Sequence, residues 1–270
     1  MLSQNFWAVF LRLRNKPNEK GILGTLESFS ILKNGGFMRR FVLVLVLVSS
    51  LSGCVTLVRT SPQYDERVKS VKTIAVVPAD IFVYRLTAGG VRELVDEWNE
   101  TAKKLIREKL QEHLAQRFNV QLKFIDEDWL KKNHRELWQS QKAMFSAVSY
   151  AAFNHAFGGV SGFQTKMKNF DYTLGEDLQA LAKACEADSV LFIYGFDHEA
   201  TAGRVLMSFW AAIGGVYLFN PSLMIMGLVD ATTGDILWLK SSNGTEYSFR
   251  NEKHMESLME WLTRDFLKQK

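Results

Sequence analysis

The sequence predicts an α/β domain in which helices pack on a mixed β-sheet in two or three layers, with an α+β arrangement as the alternative. Short β-branched or apolar runs of strand length alternate with longer amphipathic runs of helical spacing. The composition agrees, because 47% of the 270 residues are hydrophobic and only four are prolines. A chain of this length and apolarity forms a sizeable core and is not a disordered chain.

The first half contributes two strands and two helical regions. The β-branched run Val71–Pro78 predicts a buried strand, and the amphipathic run Val91–Phe118 predicts a long helix with a solvated charged face. The alternating run Phe118–Ile125 predicts the next strand. Asp126 then has the position of a helix N-cap. The helical pattern that follows extends as far as Gly158, and from Ala143 onward it is rich in aromatic and small residues and poor in charge.

The second half begins with a compact helix, Glu176–Ala187, that leads directly into the apolar strand Asp188–Gly195. Leu223–Val229 and Ile236–Lys240 are expected to form a β-hairpin, with Gly234 at a positive-φ position of the turn. The acidic residues of that turn lack the alternating ligands of a calcium loop. An amphipathic helix, Met255–Phe266, completes the domain.

An export signal begins at Met38. Two arginines precede the eight apolar residues Phe41–Val48, and small residues then lead to Cys54. A basic segment, an apolar segment and small residues before the cleavage point are typical of a secretory signal peptide. The sequence therefore predicts that residues 38–53 direct export and are then removed.

The run Leu51-Ser52-Gly53-Cys54 resembles the lipobox of bacterial lipoproteins. The resemblance implies cleavage between Gly53 and Cys54, a diacylglyceryl group on the Cys54 thiol, and acylation of the new amino terminus by a fatty acid such as palmitate. One acyl chain binds a bilayer marginally, whereas two or three, at about 0.8 kcal/mol per buried methylene, hold a protein firmly.

Two alternatives apply to this region. An uncleaved anchor would use Phe41–Val58, which is uncharged over 18 residues, but spanning needs roughly 20 predominantly apolar residues and the second half is only weakly apolar. Residues 1–37 are interpreted as a misassigned or disordered leader, with translation starting at Met38, because a signal peptide does not normally begin so far inside a chain. The alternative is a genuine extension.

The predicted organisation is therefore a leader at 1–37, a signal peptide at 38–53, a polar tether at 54–70 and a periplasmic domain at 71–270. Seven of the 33 basic and two of the 29 acidic residues precede Cys54, which leaves 26 basic and 27 acidic residues in the mature chain. A nearly neutral domain gives no electrostatic reason to expect nucleic acid as a partner.

The residue after the cysteine bears on localisation. In enteric lipoproteins an aspartate at this place resembles an inner-membrane retention signal, whereas this chain has Val55. The lipobox resemblance therefore implies an anchor in the outer membrane, at its periplasmic face.

The sequence contains few candidates for catalytic, ligand-binding or metal-binding residues. Asp197-His198-Glu199 follow a predicted strand, where α/β sheets often place ligands, and residue alternation allows only Asp197 and Glu199 to share a side. A small-ligand, metal or catalytic site here is the alternative to an ordinary solvated loop. Cys185 is expected on the inner face of a helix. No catalytic residue, cofactor or metal ligand is predicted.

The run Val205–Phe219 lies within the most apolar part of the mature chain, which is uncharged from Val205 to Val229. It predicts an apolar loop or short helix beside the strand Leu223–Val229. Two hypotheses remain open for it: it is buried as core, or it is exposed as a contact surface for protein or membrane.

Three motifs carry a further resemblance. They are the opening strand Val71–Pro78, the helix-to-strand passage Ala184–Gly195, and the hairpin Leu228–Trp238, and together they resemble the periplasmic domains of CsgG-like lipoproteins and the amino-terminal domains of TolB. The match departs from those families over Asp128–Tyr172 and Val205–Pro221, so neither pore formation nor a partner is implied.

The function expected from the sequence is that of a lipid-anchored, non-enzymatic envelope lipoprotein with a protein-interaction domain, active in envelope assembly or transport and able to form homo-oligomers. One alternative is a periplasmic enzyme or small-ligand binder that uses Asp197 and Glu199. The other is a CsgG-like secretion-channel subunit in which Val205–Phe219 enters the membrane.

Overall fold

The computed structural model describes residues 57–115, 120–157, 164–216, 218, 220–245 and 247–267. Its strands are β1 (Leu57–Thr60), β2 (Thr73–Val76), β3 (Asp80–Leu86), β4 (Arg92–Leu94), β5 (Gln121–Phe124), β6 (Ser189–Ala200), β7 (Ser222–Asp230) and β8 (Ile236–Gly244). Its helices are α1 (Tyr64–Arg67), α2 (Asp96–Ala115), α3 (Glu127–Asn133), α4 (Arg135–Phe157), α5 (Gln164–Lys168), α6 (Leu178–Ala184), α7 (Ala202–Ile213) and α8 (Glu252–Thr263), with a 3₁₀ turn at Val68–Ser70.

The strands form one mixed sheet around β6. Its order is β1-β8-β7-β6-β2-β5, and β3 and β4 extend the same edge of β6 farther along. The strands β1, β8, β7 and β6 are antiparallel neighbours, whereas β2 and β3 both run parallel to β6. The predicted α/β class with a mixed sheet is confirmed.

Helices cover both faces, so the domain has three layers. Alternation along β6 sends Leu191 and Ile193 to one face and Val190 and Phe192 to the other. The first face packs against α2 and α8, and the second packs against α3, α4 and α6. Because β6 and β7 are buried on both faces, their sequences are almost continuously apolar.

The long helix begins later than its apolar pattern predicts. Instead of helix from Val91, the chain forms β3 and the short β4, paired as a hairpin with Leu86 opposite Arg92, and α2 begins at Asp96. Leu94, predicted on the helical apolar stripe, is an exposed residue of β4. Pairing of Arg92–Leu94 with β3 outweighs the local helical pattern there.

The predicted tether at 54–70 is wrong from Leu57 onward. Leu57–Thr60 forms β1, which pairs with Ser241–Trp238 of β8, and the side chains of Tyr64 and Val68 are buried in the core. The folded domain therefore begins well before residue 71. Residues 1–37 and 38–53, together with Cys54, lie outside the described residues.

Two local predictions are confirmed by backbone geometry. The Asp126 carboxylate accepts a hydrogen bond from the Trp129 N–H and caps α3. In the β7–β8 turn, Gly234 has φ of +73°, and the Asp230 carboxylate accepts hydrogen bonds from the Thr232 and Thr233 N–H groups. Asp230 therefore stabilises the turn through its own backbone.

Gly227 on β7 provides the space for an aromatic stack on the second face. The buried Phe145 ring lies 4.9 Å from the Phe192 ring, measured between centroids, and passes directly over Gly227. A Cβ atom at Gly227 would lie 2.7 Å from Phe145 Cε2. Contacts this short force the ring out of its position.

We therefore expect Gly227→Ala to lower the free energy of unfolding by about 1–3 kcal/mol, as overpacking does in other cores. Urea unfolding of the purified protein measures the loss. Gly89→Ala is the matched control, because a Cβ atom there meets nothing within 4 Å. Replacing Phe145 with Leu should recover part of the loss, and equal stability of the two alanine variants would contradict the packing argument.

Candidate functional site

The most unusual surface of the domain is the helix α7, which follows β6 after a single residue. That residue, Thr201, caps the helix by accepting a hydrogen bond from the Arg204 N–H, and its own N–H donates to Leu86 O at 3.0 Å. Arg204 Nε in turn donates to Asn220 Oδ1 at 3.5 Å. The first turn of α7 is therefore fixed to β3 and to the segment that returns to β7.

The orientation of α7 is inverted relative to an ordinary surface helix. Arg204, Ser208 and Ala211 are partly buried and, at about 100° per residue, share the face toward the domain. The large apolar side chains point the other way and are exposed. They are Val205, Leu206, Met207, Phe209, Trp210 and Ile213, with Val216 just after the helix.

The exposure of this face decides between the two hypotheses for Val205–Phe219. Trp210 is 61% exposed and Ile213 is 65% exposed, and no residue of α7 is buried. Over the residues that the structure describes, the segment is thus exposed rather than buried as core, which leaves the contact-surface hypothesis. Contiguous apolar patches on soluble domains mark interaction sites for protein or membrane.

The length of α7 limits what that surface does. Twelve residues at about 1.5 Å each give a helix of about 18 Å, well short of the roughly 30 Å hydrocarbon core of a bilayer. Among the described helices, none has both the length and the apolarity needed to cross a membrane.

The second candidate site lies at the end of β6, immediately before α7. Asp197 is only 4% exposed, and its carboxylate accepts a hydrogen bond from the Phe249 N–H at 3.0 Å. Burial raises the pKa of Asp197 to about 6, an effect that the Phe249 hydrogen bond opposes and the nearby Glu199 increases. A buried carboxyl group with such a pKa has the properties of a general acid or base.

Glu199 is held by residues about 50 positions later in the chain. Its carboxylate accepts hydrogen bonds from Ser248 Oγ and from Arg250 Nη2, the latter at 2.7 Å. Burial by itself would raise the pKa of Glu199, but the bonds from Arg250 and Ser248 outweigh burial and lower it. The Arg250 guanidinium also lies 3.7 Å from the centroid of the Trp98 ring, a cation–π arrangement.

His198 points to the opposite face of β6. Its ring stacks on Tyr84 at 5.3 Å between centroids, and Nδ1 lies 2.6 Å from Pro221 O. Because a carbonyl oxygen only accepts, Nδ1 carries the proton in this bond. Burial lowers the pKa of His198, although the Pro221 bond opposes this effect. His198 therefore fixes the segment that returns from α7.

The structure corrects one interpretation of this triplet and confirms another. Asp197, His198 and Glu199 belong to β6, which continues to Ala200, so they do not form a solvated loop. Asp197 and Glu199 do share one face. The two carboxylates fasten the segment 248–250 to the sheet, a role that sequence spacing alone does not reveal.

A separate cleft of about 270 Å³ opens where β2 and β5 end against α2. Its charged groups already pair with each other: Lys103 Nζ lies 3.0 Å from Glu100 and 3.4 Å from Glu127. Arg107 donates to Ile125 O and lies over the Phe124 ring. The cleft thus has the position of a ligand pocket but a lining of satisfied side chains.

Cys185 lies on the inner face of α6 as the sequence predicts. It is buried, and burial raises the pKa of its thiol to about 11, which is the opposite of what a nucleophilic cysteine needs. Within the described residues no group of three or more His, Cys, Asp or Glu side chains is placed to hold a metal ion. Gly53 and Cys54 of the lipobox lie outside those residues.

Comparisons with known proteins give distant likenesses only. No protein-family model and no curated protein sequence matches the chain. Among solved structures, the PelC dodecamer from Paraburkholderia phytofirmans is 10% identical with a TM-score of 0.36 and covers 80% of this chain and 99% of that one. Such values transfer neither residues nor activity.

Two further structures are similar at the same distance. Lipoprotein GNA1162 from Neisseria meningitidis is 13% identical with a TM-score of 0.31 and covers 72% of this chain and 96% of that one. The LpoB C-terminal domain from Salmonella enterica is 12% identical with a TM-score of 0.26 and covers 68% and 96%. The sequence resemblance to CsgG-like and TolB domains stays a prediction.

The raised pKa of Asp197 gives a prediction about pH. The folded state binds this proton more tightly than the unfolded state, whose carboxyl has a pKa near 3.8, so stability decreases as pH rises from about 4 to about 6. Asparagine keeps an acceptor for the Phe249 N–H and does not ionise. We expect Asp197→Asn to raise the free energy of unfolding near neutral pH by roughly 1–3 kcal/mol.

Urea unfolding at several pH values measures this effect, and the difference from wild type should vanish below a pH of about 4. Glu93→Gln is the control. It removes a carboxylate from an exposed pair with Arg85, for which a change within about 0.5 kcal/mol is expected. A variant Asp197→Asn that is less stable than wild type at all pH values would show that the charge itself is needed by the fold.

Proposed function

We propose that the chain is a bacterial outer-membrane lipoprotein whose three-layer domain works at the periplasmic face as a non-catalytic interaction module. In this proposal residues 38–53 are the signal peptide, and Cys54 becomes the lipidated amino terminus. The domain takes part in envelope assembly or transport through contacts with other envelope proteins.

One observation carries the anchor: the lipobox cysteine lies three residues before the first strand of the fold. Cys54 precedes Leu57 of β1, and three residues span at most about 10–11 Å. A membrane attached at Cys54 is thus next to the folded domain. The signal peptide ends at the point where the fold can begin, so its removal leaves β1 and the rest of the sheet intact.

The interaction role is supported by what the domain exposes and by what its polar groups already do. The outward side chains of α7 form an apolar surface, whereas the carboxylates of Asp197 and Glu199 are engaged with the segment 248–250. An exposed apolar surface is suited to binding. Carboxylates that already accept hydrogen bonds from the protein are less suited to catalysis, so both observations favour an interaction role.

The anchor is tested by mass spectrometry of the protein extracted from membranes. We expect an amino-terminal peptide that begins at Cys54, with a diacylglyceryl group on the thiol and an acyl group on the amine. Cys54→Ser should accumulate as an unprocessed precursor, whereas Cys185→Ser, which replaces a buried thiol, should be processed normally. An intact Met38 terminus, or an unmodified Cys54 terminus, would overturn the proposal.

The enzyme alternative is favoured by the raised pKa of Asp197 and is tested separately. Asp197→Asn and Glu199→Gln remove both charges but keep acceptor oxygens for Phe249, Ser248 and Arg250. In a strain from which the gene for this protein is deleted, we expect the double variant to complement the deletion phenotype to the same extent as the wild-type protein. Loss of function by a double variant with wild-type circular dichroism and expression would instead support a reaction at this strand end.

A further inference from the structure

We propose that α7 is an interfacial helix that lies parallel to the membrane, with its outward apolar face among the phospholipid acyl chains. The inference extends the proposed function, because it takes the bilayer at Cys54 as the surface that α7 meets. The domain would then have two membrane contacts: the acyl chains on Cys54 and the side chains of α7.

The composition of α7 suits a bilayer surface. By helical geometry its outward apolar face spans roughly 140° between Val205 and Trp210, with Phe209 and Ile213 between them, all exposed. An apolar face of this width, with aromatic residues at a helix end, is typical of helices buried about 5–10 Å into the interface. The inner face of Arg204, Ser208 and Ala211 remains toward the domain.

The direction of the strands places the start of β1 and the start of α7 toward the same end of the sheet. In register, Leu57 lies opposite Ser241, Ser241 opposite Ile225, and Ile225 opposite Tyr194. Since each of these pairs is antiparallel, β1 runs opposite to β6. The chain that enters β1 therefore comes from the end of the sheet where β6 terminates and α7 begins.

The start of β1 lies close to that end. Leu57 is opposite Ser241, and β8 ends three residues later at Gly244, about 10 Å farther along the strand direction. Ser222 at the start of β7 lies opposite Gly244, and there the chain returns from α7. Three strand spacings of about 4.8 Å separate β1 from β6, so one bilayer surface can contact both.

A positive charge at this end fits phospholipid headgroups. Arg92 is exposed on the neighbouring β4, and its guanidinium can reach headgroup phosphates while α7 lies deeper. Val91, also exposed, extends the apolar surface at the β3–β4 turn. α7 itself carries no acidic residue.

A protein partner or a second copy fits these observations less well. Protein interfaces surround an apolar centre with polar groups that make about one hydrogen bond per 100–200 Å². The outward face of α7 has no polar side chain except the indole of Trp210. The bilayer is therefore the occupant to test.

Fluorescence quenching by brominated phospholipids is the test. The mature lipidated protein is reconstituted in vesicles of phosphatidylcholine and phosphatidylglycerol with bromine on the acyl chains, which quench only tryptophans within the bilayer. We expect Trp210→Phe to abolish most of the bromine-dependent quenching. Trp129→Phe is the matched control, because Trp129 is 38% exposed on a different helix, α3, and its loss should leave the quenching unchanged.

A second pair of variants keeps the reporter and changes its surroundings. Phe209→Ser with Ile213→Ser should reduce the quenching of Trp210 and shift its emission toward that of tryptophan in water. Met144→Ser with Tyr150→Ser, exposed apolar residues of α4, should have no effect. Because all four side chains are exposed, the substitutions should leave thermal unfolding unchanged.

The outcomes separate this inference from the lipid anchor. Lipidated protein whose quenching does not depend on Trp210 would overturn the inference and leave the anchor intact; that result includes docking of α7 on a second copy or another protein. If the protein extracted from membranes lacks the Cys54 modification and Trp210 is still quenched by bromine, the anchor is overturned and the interfacial helix stands.

Discussion

The pairing of β6 with three other strands is the constraint on which the rest of the structure depends. Along one edge it pairs with β7, and along the other it pairs first with β2 and then with β3. Three residues, Val77-Pro78-Ala79, separate β2 from β3, whereas only two residues of β6 separate the corresponding partners Leu191 and Tyr194. The connecting segment therefore contains one extra residue. Proline suits this break because it has no N–H to donate. β5 pairs with β2 before this break and β4 pairs with β3 after it, and Val77, Pro78 and Ala79 line the cleft beside α2.

The same strand determines both candidate sites. Alternation sends Asp197 and Glu199 toward the segment 248–250 and His198 toward Pro221, so the two segments that leave this end of the sheet are fastened to opposite faces of β6. The base of α7 is consequently held by hydrogen bonds, whereas its outward side chains are exposed. A helix held at its base, with an exposed apolar face, is suited to a surface contact that does not depend on folding of the helix upon binding.

The fold class and most elements could be predicted from the sequence because β6, β7 and β8 are buried and their apolar runs are unmistakable. β3, β4 and β1 were not predicted, since their residues are mixed in character and depend on partners distant in the chain, such as Leu57 on Ser241. At the site, the shared face of Asp197 and Glu199 follows from strand alternation. Their partners Phe249 and Arg250 do not, because no local pattern links residues about 50 positions apart. The exposure of α7 could not be predicted from the sequence either, because buried helices and helices at contact surfaces have the same apolar composition.

The position of β1 next to Cys54 has a kinetic consequence for an anchored domain. A protein on a long flexible linker rotates freely and must find the productive orientation at every encounter, which is one reason that association rates are far below the diffusion limit. In the proposed lipoprotein the first strand would begin three residues after the lipidated Cys54, so tumbling about axes in the membrane plane would be suppressed. A partner that diffuses in the same leaflet would meet the sides of the sheet in a nearly constant orientation, and the search would reduce to translation and rotation about the membrane normal.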